Sequence, residues 1–140
     1  MLITTDRSKL DIDLIHRYLC DESYWAKGIP RDVVQRSIEN SFCFGAFEDD
    51  RQIGFARAIT DYATYAYIAD VFVVESHRGR GVGKKIMQAI MEHPSLQGLR
   101  RWSLITGDAH GLYRQFGFQD VTNPERYMEI VKRDAYSSGG

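Results

Sequence analysis

A short glycine-rich turn at 78–83 (RGRGVG) constrains the chain more than any other stretch. It follows an apolar run at 71–74 (VFVV) and leads into a helical pattern at 84–91. Glycine lets the backbone bend and a ligand approach closely, and a helix start presents unpaired N–H groups with partial positive charge. Four full positive charges flank the turn: Arg78, Arg80, Lys84 and Lys85. The stretch therefore predicts a strand, a turn and a helix start that bind a phosphorylated ligand.

Two common phosphate-binding patterns do not fit the spacing of this turn. A nucleotide P-loop, G-x-x-x-x-G-K-[ST], needs a glycine where Arg78 stands and a hydroxyl where Lys85 stands. A dinucleotide fingerprint, G-x-G-x-x-G, needs its third glycine where Lys84 stands. The pattern [QR]-x-x-G-x-[GA] does fit, because Arg78, Gly81 and Gly83 satisfy it in full.

The fitting pattern resembles the pyrophosphate loop of the GNAT superfamily of acetyl-CoA-dependent N-acetyltransferases. Upstream, the stretch 70–73 (DVFV) resembles the central strand of that family. Downstream, the stretch 112–118 (LYRQFGF) resembles its L-Y-x-x-x-G-F signature, and Ala109 matches the small residue four positions before Tyr113. Both motifs stand in the order and separation of the family. The core of the resemblance covers roughly residues 40 to 120.

Periodicity and turn signals predict alternating strands and helices with no linker between them. Strands are predicted near 2–4, 41–47, 52–59, 64–74, 100–105, 118–121 and 126–131, and helices near 9–20, 30–40, 81–93 and 109–116. The resemblance implies an α+β fold, with a mixed, mostly antiparallel central sheet of six to seven strands flanked by about four helices. A V-shaped splay in that sheet would admit the cofactor. We expect one acetyltransferase domain over 1–133 and a frayed tail over 134–140.

Composition limits the kinds of partner and the cellular compartment that we expect for this chain. The 18 basic and 19 acidic residues give a net charge of −1, which argues against nucleic acid as a partner. No apolar run approaches the roughly 18 residues of a membrane span, and no histidine pairs with a cysteine at metal spacing, so no metal is expected. Cys20 and Cys43 without a signal peptide favour a reducing cytoplasm. The sequence leaves open whether the chain forms a homodimer.

The resemblance implies acetyl transfer from acetyl-CoA to a primary amine by direct attack in a ternary complex. The residues that it assigns to the cofactor are Val71, Phe72, Val73, Arg78, Gly79, Arg80, Gly81, Val82, Gly83, Lys84, Thr106, Ala109 and Tyr113. A backbone N–H near Val73 would polarise the acetyl carbonyl. Thr106 departs from the family, which often carries asparagine there to contact the cofactor.

Tyr113 is the candidate general acid that protonates the departing thiolate. A phenol has a pKa near ~10 and a thiol near ~8.5, so the transfer is uphill by only roughly 2 kcal/mol. The sequence identifies the base that deprotonates the amine less closely, because many members of the family use a water chain in place of a dedicated side chain. Four side chains are base candidates: Asp70, Glu75, Tyr67 and His110.

The resemblance implies an acceptor side formed by the first two helices, their connecting loop and the hairpin strands. Four residues there, Tyr24, Trp25, Asp61 and Tyr65, could bind a small cationic amine through stacking and charge. They could equally be ordinary rim and core aromatics. A small amine and a peptide amine both stay open as acceptors. The alternative to an enzyme is a catalytically silent acyl-CoA-binding or sensing module that has lost turnover.

Overall fold

A five-stranded sheet organises the computed structural model, which describes residues 1–136. The strands β1 to β5 span Leu2–Thr4, Phe42–Glu48, Arg51–Thr60, Tyr65–Val73 and Arg101–Leu104. They lie side by side in chain order. Strands β1 to β4 pair antiparallel, whereas β5 pairs parallel to β4. A parallel pair needs a long crossover, and a helix supplies it here.

Within residues 1–136, four α-helices accompany the sheet. Helices α1 to α4 span Ile12–Arg17, Arg31–Glu39, Val82–Glu92 and His110–Arg114. Helix α1 starts at Asp11, whose carboxylate accepts the Leu14 N–H at 3.0 Å, and continues as a π-helical turn over Tyr18–Glu22. Helix α3 is the crossover between β4 and β5, and it ends before Pro94, which disfavours helix at the residue before it.

Two apolar clusters hold helices against the sheet. In one cluster, fully buried residues of α3 such as Ile86 pack against β2, β3 and β4. In the other, Ile15 of α1 and Val34 of α2 pack against β2, β3 and β4, and the Tyr18 ring stacks on Phe72 at 4.0 Å. The sheet is therefore covered by α1 and α2 through one cluster and by α3 through the other, which is the layered arrangement of an α+β domain.

The mixed sheet and the four helices are confirmed, but the predicted count of six to seven strands is wrong. Within residues 1–136 the sheet has five strands, because the expected closing strands at 118–121 and 126–131 do not form. These segments carry residues that favour strands, yet nearly all of them are exposed and no described strand pairs with them. The strand propensity of a residue reflects mainly its contacts with a neighbouring strand. A segment of strand-favouring residues therefore forms no strand where it has no neighbour to pair with.

Strand β4 carries a bulge at Asp70. Phe55 pairs with Phe72 and Arg57 with Ala69, so one β3 residue between them faces two β4 residues. Asp70 has a φ of 56°, in the left-handed region that L-residues rarely adopt. The pairing of β4 with β5 ends just before the bulge, while 69–73 continues without a β5 partner. This unpaired stretch is where the V-shaped splay implied by the resemblance would lie.

The chain end returns to the α1–α2 side of the sheet. Tyr136 is half-buried against the α1–α2 cluster. A Cβ added at Gly28, whose φ is +80°, would lie 2.6 Å from the Tyr136 carbonyl oxygen. The remaining residues of the predicted frayed tail, 137–140, lie outside the described residues.

We expect Ile86→Ala to lower the free energy of unfolding by about 2–5 kcal/mol, because it leaves a cavity between α3 and the sheet. Ile59→Ala is the matched control, since Ile59 lies in β3 with 42% of its surface exposed. Its cost should stay below about 1 kcal/mol. Urea unfolding of both variants measures the difference. Equal losses would show that α3 does not anchor the sheet as described.

Candidate functional site

The glycine turn forms a concave backbone surface at the start of α3. Gly79 and Gly81 have φ values of +78° and +76°, and a Cβ at either position would meet nothing within 4 Å. The first N–H bonded along this helix is that of Lys85, which donates to the Gly81 carbonyl at 3.1 Å. The preceding N–H groups of α3 are therefore unpaired within the helix. Left-handed residues beside a helix start form a nest for anions.

The charged side chains of the turn divide into two roles. Arg78 is engaged with its own chain: its Nε donates to the Val73 carbonyl at 3.1 Å, and its Nη2 donates to the Tyr18 hydroxyl at 2.9 Å. Arg80, Lys84 and Lys85 are exposed beside the turn. Arg78 thus fixes the turn to the end of β4, while the other three supply positive charge.

Three segments of the predicted cofactor site meet at the first turn of α3. A Cβ at Gly83 would lie 3.8 Å from both Val73 Cγ2 and Leu112 Cδ2. Val73 ends β4, and Leu112 lies in α4. The structure therefore brings the expected strand, turn and helix residues together, although they are far apart in sequence.

The end of β4 offers backbone groups to the space beside 69–73, where β4 has no β5 partner, and we call this space the gap. Val74 donates its N–H to the Ile53 carbonyl of β3 at 2.9 Å. Because N–H directions alternate along an antiparallel strand, Val73 directs its N–H away from β3. On that edge β4 has no β5 partner beyond Ile68. The predicted oxyanion donor near Val73 thus faces the gap.

Tyr113 is buried in α4, with 8% of its surface exposed. Its ring packs edge-on against Phe118, with ring centroids 6.0 Å apart. Burial raises the pKa of Tyr113 to about 12, with smaller contributions from Tyr24 and Asp108. The phenol therefore stays protonated at physiological pH, so it can donate a hydrogen bond or a proton.

A cavity of about 880 Å³ lies beside Tyr113. Thr106 and His110 line it as well, so the structure brings the predicted acid and one base candidate to the same cavity. His110 is exposed. The Thr106 hydroxyl accepts the Ala109 N–H at 3.0 Å, which shapes the turn into α4. Thr106, which stands where the family often has asparagine, therefore stabilises the turn into α4 through its hydroxyl.

Asp70 is held by two side chains from different parts of the chain. Its carboxylate accepts the Arg57 Nε–H at 2.6 Å and the Trp25 indole N–H at 2.9 Å. The side chains of Arg57 and Asp70 are 17% and 10% exposed, so the ion pair is largely shielded from water. Sequence reasoning missed Arg57. The sequence does place one charged residue in each of two adjacent apolar strands. Since a buried charge needs a partner, this pattern indicates an ion pair between the two strands.

The loop that carries Tyr24 and Trp25, residues 23–30, spans the two sides of the gap. The Tyr24 hydroxyl accepts the Gly107 N–H at 2.7 Å, on the segment that follows β5. Trp25 reaches Asp70 on β4. The two rings contact each other edge-on, with centroids 5.0 Å apart. We call residues 23–30 the bridging loop.

Two other base candidates lie in different surroundings. Glu75 is exposed in a short 3-10 turn directly after β4. Tyr67 lies half-buried in β4, and burial raises its pKa, with further contributions from Tyr65 and Asp70. A raised pKa keeps this phenol protonated at neutral pH, which works against a role as base.

The two remaining acceptor-side candidates, Asp61 and Tyr65, are hydrogen-bonded within the chain. The Asp61 carboxylate accepts the N–H groups of Ala63, Thr64 and Tyr65 together with the Thr64 hydroxyl, and these bonds lower its pKa. It therefore shapes the turn between β3 and β4. The Tyr65 hydroxyl is hydrogen-bonded to Ser103 of β5.

Neither a metal cluster nor a membrane span occurs in the part of the chain that the structure describes. Residues 1–136 contain no group of three or more histidine, cysteine or acidic side chains that could hold a metal ion. The same residues include no helix that is long and apolar enough to cross a bilayer.

Comparison with known proteins gives consistent matches. The model of the acetyltransferase (GNAT) family matches residues 12–118. A crystal structure of a GNAT-family acetyltransferase from Xanthomonas campestris pv. campestris is 55% identical, with a TM-score of 0.95 over 98% of this chain and 96% of that one. A Gibberella zeae protein named as an acetyltransferase is 32% identical, with 85% of this chain and 79% of that protein covered.

One more distant structure contains a ligand. It is an acetyltransferase from Clostridium acetobutylicum with acetyl-CoA, and it is 15% identical to this chain. Its TM-score is 0.68, with 93% of this chain and 96% of that chain covered. At this identity the likeness is one of fold.

We expect Gly81→Ala to weaken coenzyme A binding about tenfold, which corresponds to about 1.4 kcal/mol. The added Cβ would strain a left-handed residue at a cost of about 1–2 kcal/mol, next to the unpaired N–H groups. Gly98→Ala is the matched control, because Gly98 has a φ of +80° and equally open surroundings outside the site. Calorimetric titration measures binding. Similar affinity for both variants would contradict a ligand role for the turn.

Proposed function

The chain belongs to the acetyltransferase (GNAT) family, and we propose that it transfers an acetyl group from acetyl-CoA to the nitrogen of a primary amine. The amine would attack the thioester directly while both substrates are bound. Acetyl-CoA supplies the activated acetyl group, and the chain supplies binding, polarisation of the carbonyl and a hydrogen-bond donor to the departing sulfur. The acceptor is a small amine or a peptide amine.

The observation that carries this proposal is the meeting of β4, the glycine turn and α4 at Gly83. The concave backbone of the turn suits a pyrophosphate, since it combines left-handed glycines with the unpaired N–H groups of α3. Exposed Arg80, Lys84 and Lys85 add charge that favours a phosphorylated ligand. Arg78 contributes by fixing the turn to β4.

In this proposal the Val73 N–H polarises the acetyl carbonyl. It points away from β3 into the gap. A fixed backbone donor of this kind stabilises negative charge that develops on oxygen during the reaction. Because β4 is paired with β3 on its other edge, the donor is held in place before the substrates bind.

Tyr113 assists the departing thiolate as a hydrogen-bond donor in this proposal. The difference between its pKa of about 12 and a thiol pKa near 8.5 corresponds to roughly 5 kcal/mol. Complete proton transfer to a free thiolate is therefore costlier than an ordinary tyrosine would make it. A hydrogen bond that strengthens as charge develops on sulfur avoids that cost. Burial thus makes Tyr113 a dependable donor and a weak acid.

The amine must lose a proton before or during its attack. Asp70 has little freedom for this, because Arg57 and Trp25 both occupy its carboxylate. We assign Asp70 a positioning role at the bulge. Proton removal is left to Glu75, to His110 or to water that connects them with solvent, since both side chains are exposed.

The acceptor amine is expected beside the bridging loop. Tyr24 and Trp25 keep 57% and 41% of their surfaces exposed although both are fixed by hydrogen bonds. Fixed, exposed aromatic rings attract cations through their faces. Asp61 is occupied with its own turn, so the aromatic pair makes the larger contribution to recognition in this proposal.

We propose the cytoplasm as the compartment, in keeping with the state of the cysteines. Cys20 and Cys43 are both free thiols. Burial raises the pKa of Cys43 to about 11, which keeps it unreactive. Free thiols persist in a reducing compartment.

Incubation of the protein with acetyl-CoA and a panel of amines should yield acetylated product for at least one class. The panel contains a polyamine, an amino acid, an aminoglycoside, an arylalkylamine and a peptide with a free N-terminus. Mass spectrometry of the product avoids thiol signal from the half-buried Cys20. Tight acetyl-CoA binding without turnover on any amine would instead support the silent acyl-CoA-binding module.

We expect Tyr113→Phe to lower kcat on the order of 100-fold, with the affinity for acetyl-CoA nearly unchanged. The variant keeps the buried ring and removes the hydroxyl alone. Tyr62→Phe is the matched control, because the Tyr62 ring packs against Phe42 in the hairpin, away from the cavity. Steady-state rates with the best amine measure both. A Tyr113→Phe rate within a few-fold of wild type would refute the assigned role.

A further inference from the structure

The sheet face beneath α1 and α2 is open to solvent near the turn between β3 and β4. The α1–α2 cluster meets this face at Cys43, Phe55 and Phe72. Closer to the turn, Ile59 of β3 and Tyr65 of β4 keep 42% and 38% of their surfaces exposed. Exposed apolar side chains that lie next to one another mark a binding site, whereas single ones are ordinary.

Strand alternation places four side chains on this open part of the face. Ile68 of β4 is buried in the α3 cluster, so Tyr67 points to the other face, as does Tyr65 two residues before it. Ile59 of β3 and Ser103 of β5 both pair with Tyr67 and share its face. The Tyr65 hydroxyl is hydrogen-bonded to Ser103. We call these four residues, Ile59, Tyr65, Tyr67 and Ser103, the open face.

The open face leads into the candidate site. The pairing of β4 with β5 ends one residue beyond Tyr67, and the gap begins there. Ser103 lines the cavity that is also lined by Tyr113. Trp25 is bonded to Asp70 at the start of the gap. A molecule that lies on the open face is therefore next to the gap, with the ring of Trp25 beside its path.

The charged groups around the open face nearly cancel one another. Arg57 and Asp70 form an ion pair at 2.6 Å. The Asp61 carboxylate is occupied by the N–H groups and the hydroxyl of its own turn. Arg101 lies in register beside Tyr65, and Glu129 is near enough for its charge to reach the face, so they add one charge of each sign. The face therefore suits a molecule with few charges better than a polycation or a polyanion.

We infer that the open face binds the body of the acceptor, and that the acceptor is a primary amine with one positive charge and an apolar body. The inference rests on the proposed acetyl transfer. The body packs on Ile59, Tyr65 and Tyr67, while the amine enters the gap past Trp25. The face measures roughly 7 Å along β4 and about 10 Å across three strands, which is the size of one aromatic ring with a short alkyl chain.

This inference separates the acceptor classes that the proposed reaction leaves open. A polyamine or an aminoglycoside carries several ammonium groups, and an amino acid carries a carboxylate beside its amine. Each additional charge would lose water on the open face without gaining a partner of opposite sign. An arylalkylamine combines one ammonium group with an apolar ring. The fixed Tyr65 ring, held by its bond to Ser103, offers that body a surface formed in advance.

Calorimetric titration of the full chain with two amines of similar length tests the inference without turnover. Phenethylamine carries a ring where cadaverine carries a second ammonium group. We expect the chain saturated with coenzyme A to bind phenethylamine about tenfold or more tightly than cadaverine. Equal affinities, or tighter binding of cadaverine, would overturn the inference. Acetylation of cadaverine would then still support the proposed function, so the two failures are distinguishable.

Ile59→Glu should change the preference between the two amines, because it replaces an apolar contact with an unpaired carboxylate. We expect the affinity for phenethylamine to fall about tenfold and that for cadaverine to rise. Leu2→Glu is the matched control, since Leu2 is a 51% exposed aliphatic residue on β1, at the opposite edge of the sheet. It makes the same change of charge and should leave both affinities as they are.

Two outcomes of this comparison would overturn the inference. If both glutamate variants changed the affinities alike, the preference would come from the overall charge of the chain and not from the open face. If Ile59→Glu changed the sedimentation of the chain and left both affinities unaltered, the open face would be a contact with another protein chain. Sedimentation velocity of both variants beside wild type distinguishes this second outcome.

Discussion

The left-handed backbone of Asp70 is the constraint on which the site depends. It breaks the register of β4 within a continuous sheet, so the strand stays bonded to β3 while its other edge leaves β5. A non-glycine residue keeps this conformation only where its surroundings compensate the strain. Arg57 and Trp25 provide that compensation by holding the carboxylate. The ion pair thus acts through backbone geometry: it keeps open the gap into which the Val73 N–H points.

Two electrostatic environments characterise the candidate site. At the glycine turn, exposed cations and unpaired N–H groups present positive charge to solvent. Around Tyr113, burial removes water and holds a phenol in its neutral form. A ligand with a charged end and a reactive end would find each in suitable surroundings. The electrostatic character of the site therefore depends on which charged groups and hydrogen-bond donors are exposed or buried there. It does not depend on the net charge of −1.

The parts of the fold that the sequence predicts are those fixed by local chemistry. The glycines at 79 and 81 indicate a bend in the backbone, and the pattern at 84–91 indicates a helix, so the amino-acid sequence alone predicts the turn and helix start that the structure has, with both glycines at positive φ. The pairing of Arg57 with Asp70 is not local, and only the charges inside apolar strands hint at it. The strand prediction at 126–131 was wrong for a related reason. Propensity describes what a segment forms beside a partner, and the described chain supplies none.

The bridging loop joins the two sides of the gap through side chains alone. Tyr24 holds the segment after β5 by its hydroxyl, and Trp25 holds β4 by its indole. Any molecule that widens the gap must stretch one of these bonds, and the loop that carries both rings then shifts. Loading of the donor would thereby be transmitted mechanically to the aromatic surface expected to receive the amine. In the proposed reaction such a linkage would favour an order of substrate addition in which the thioester enters first and prepares the place of the nucleophile.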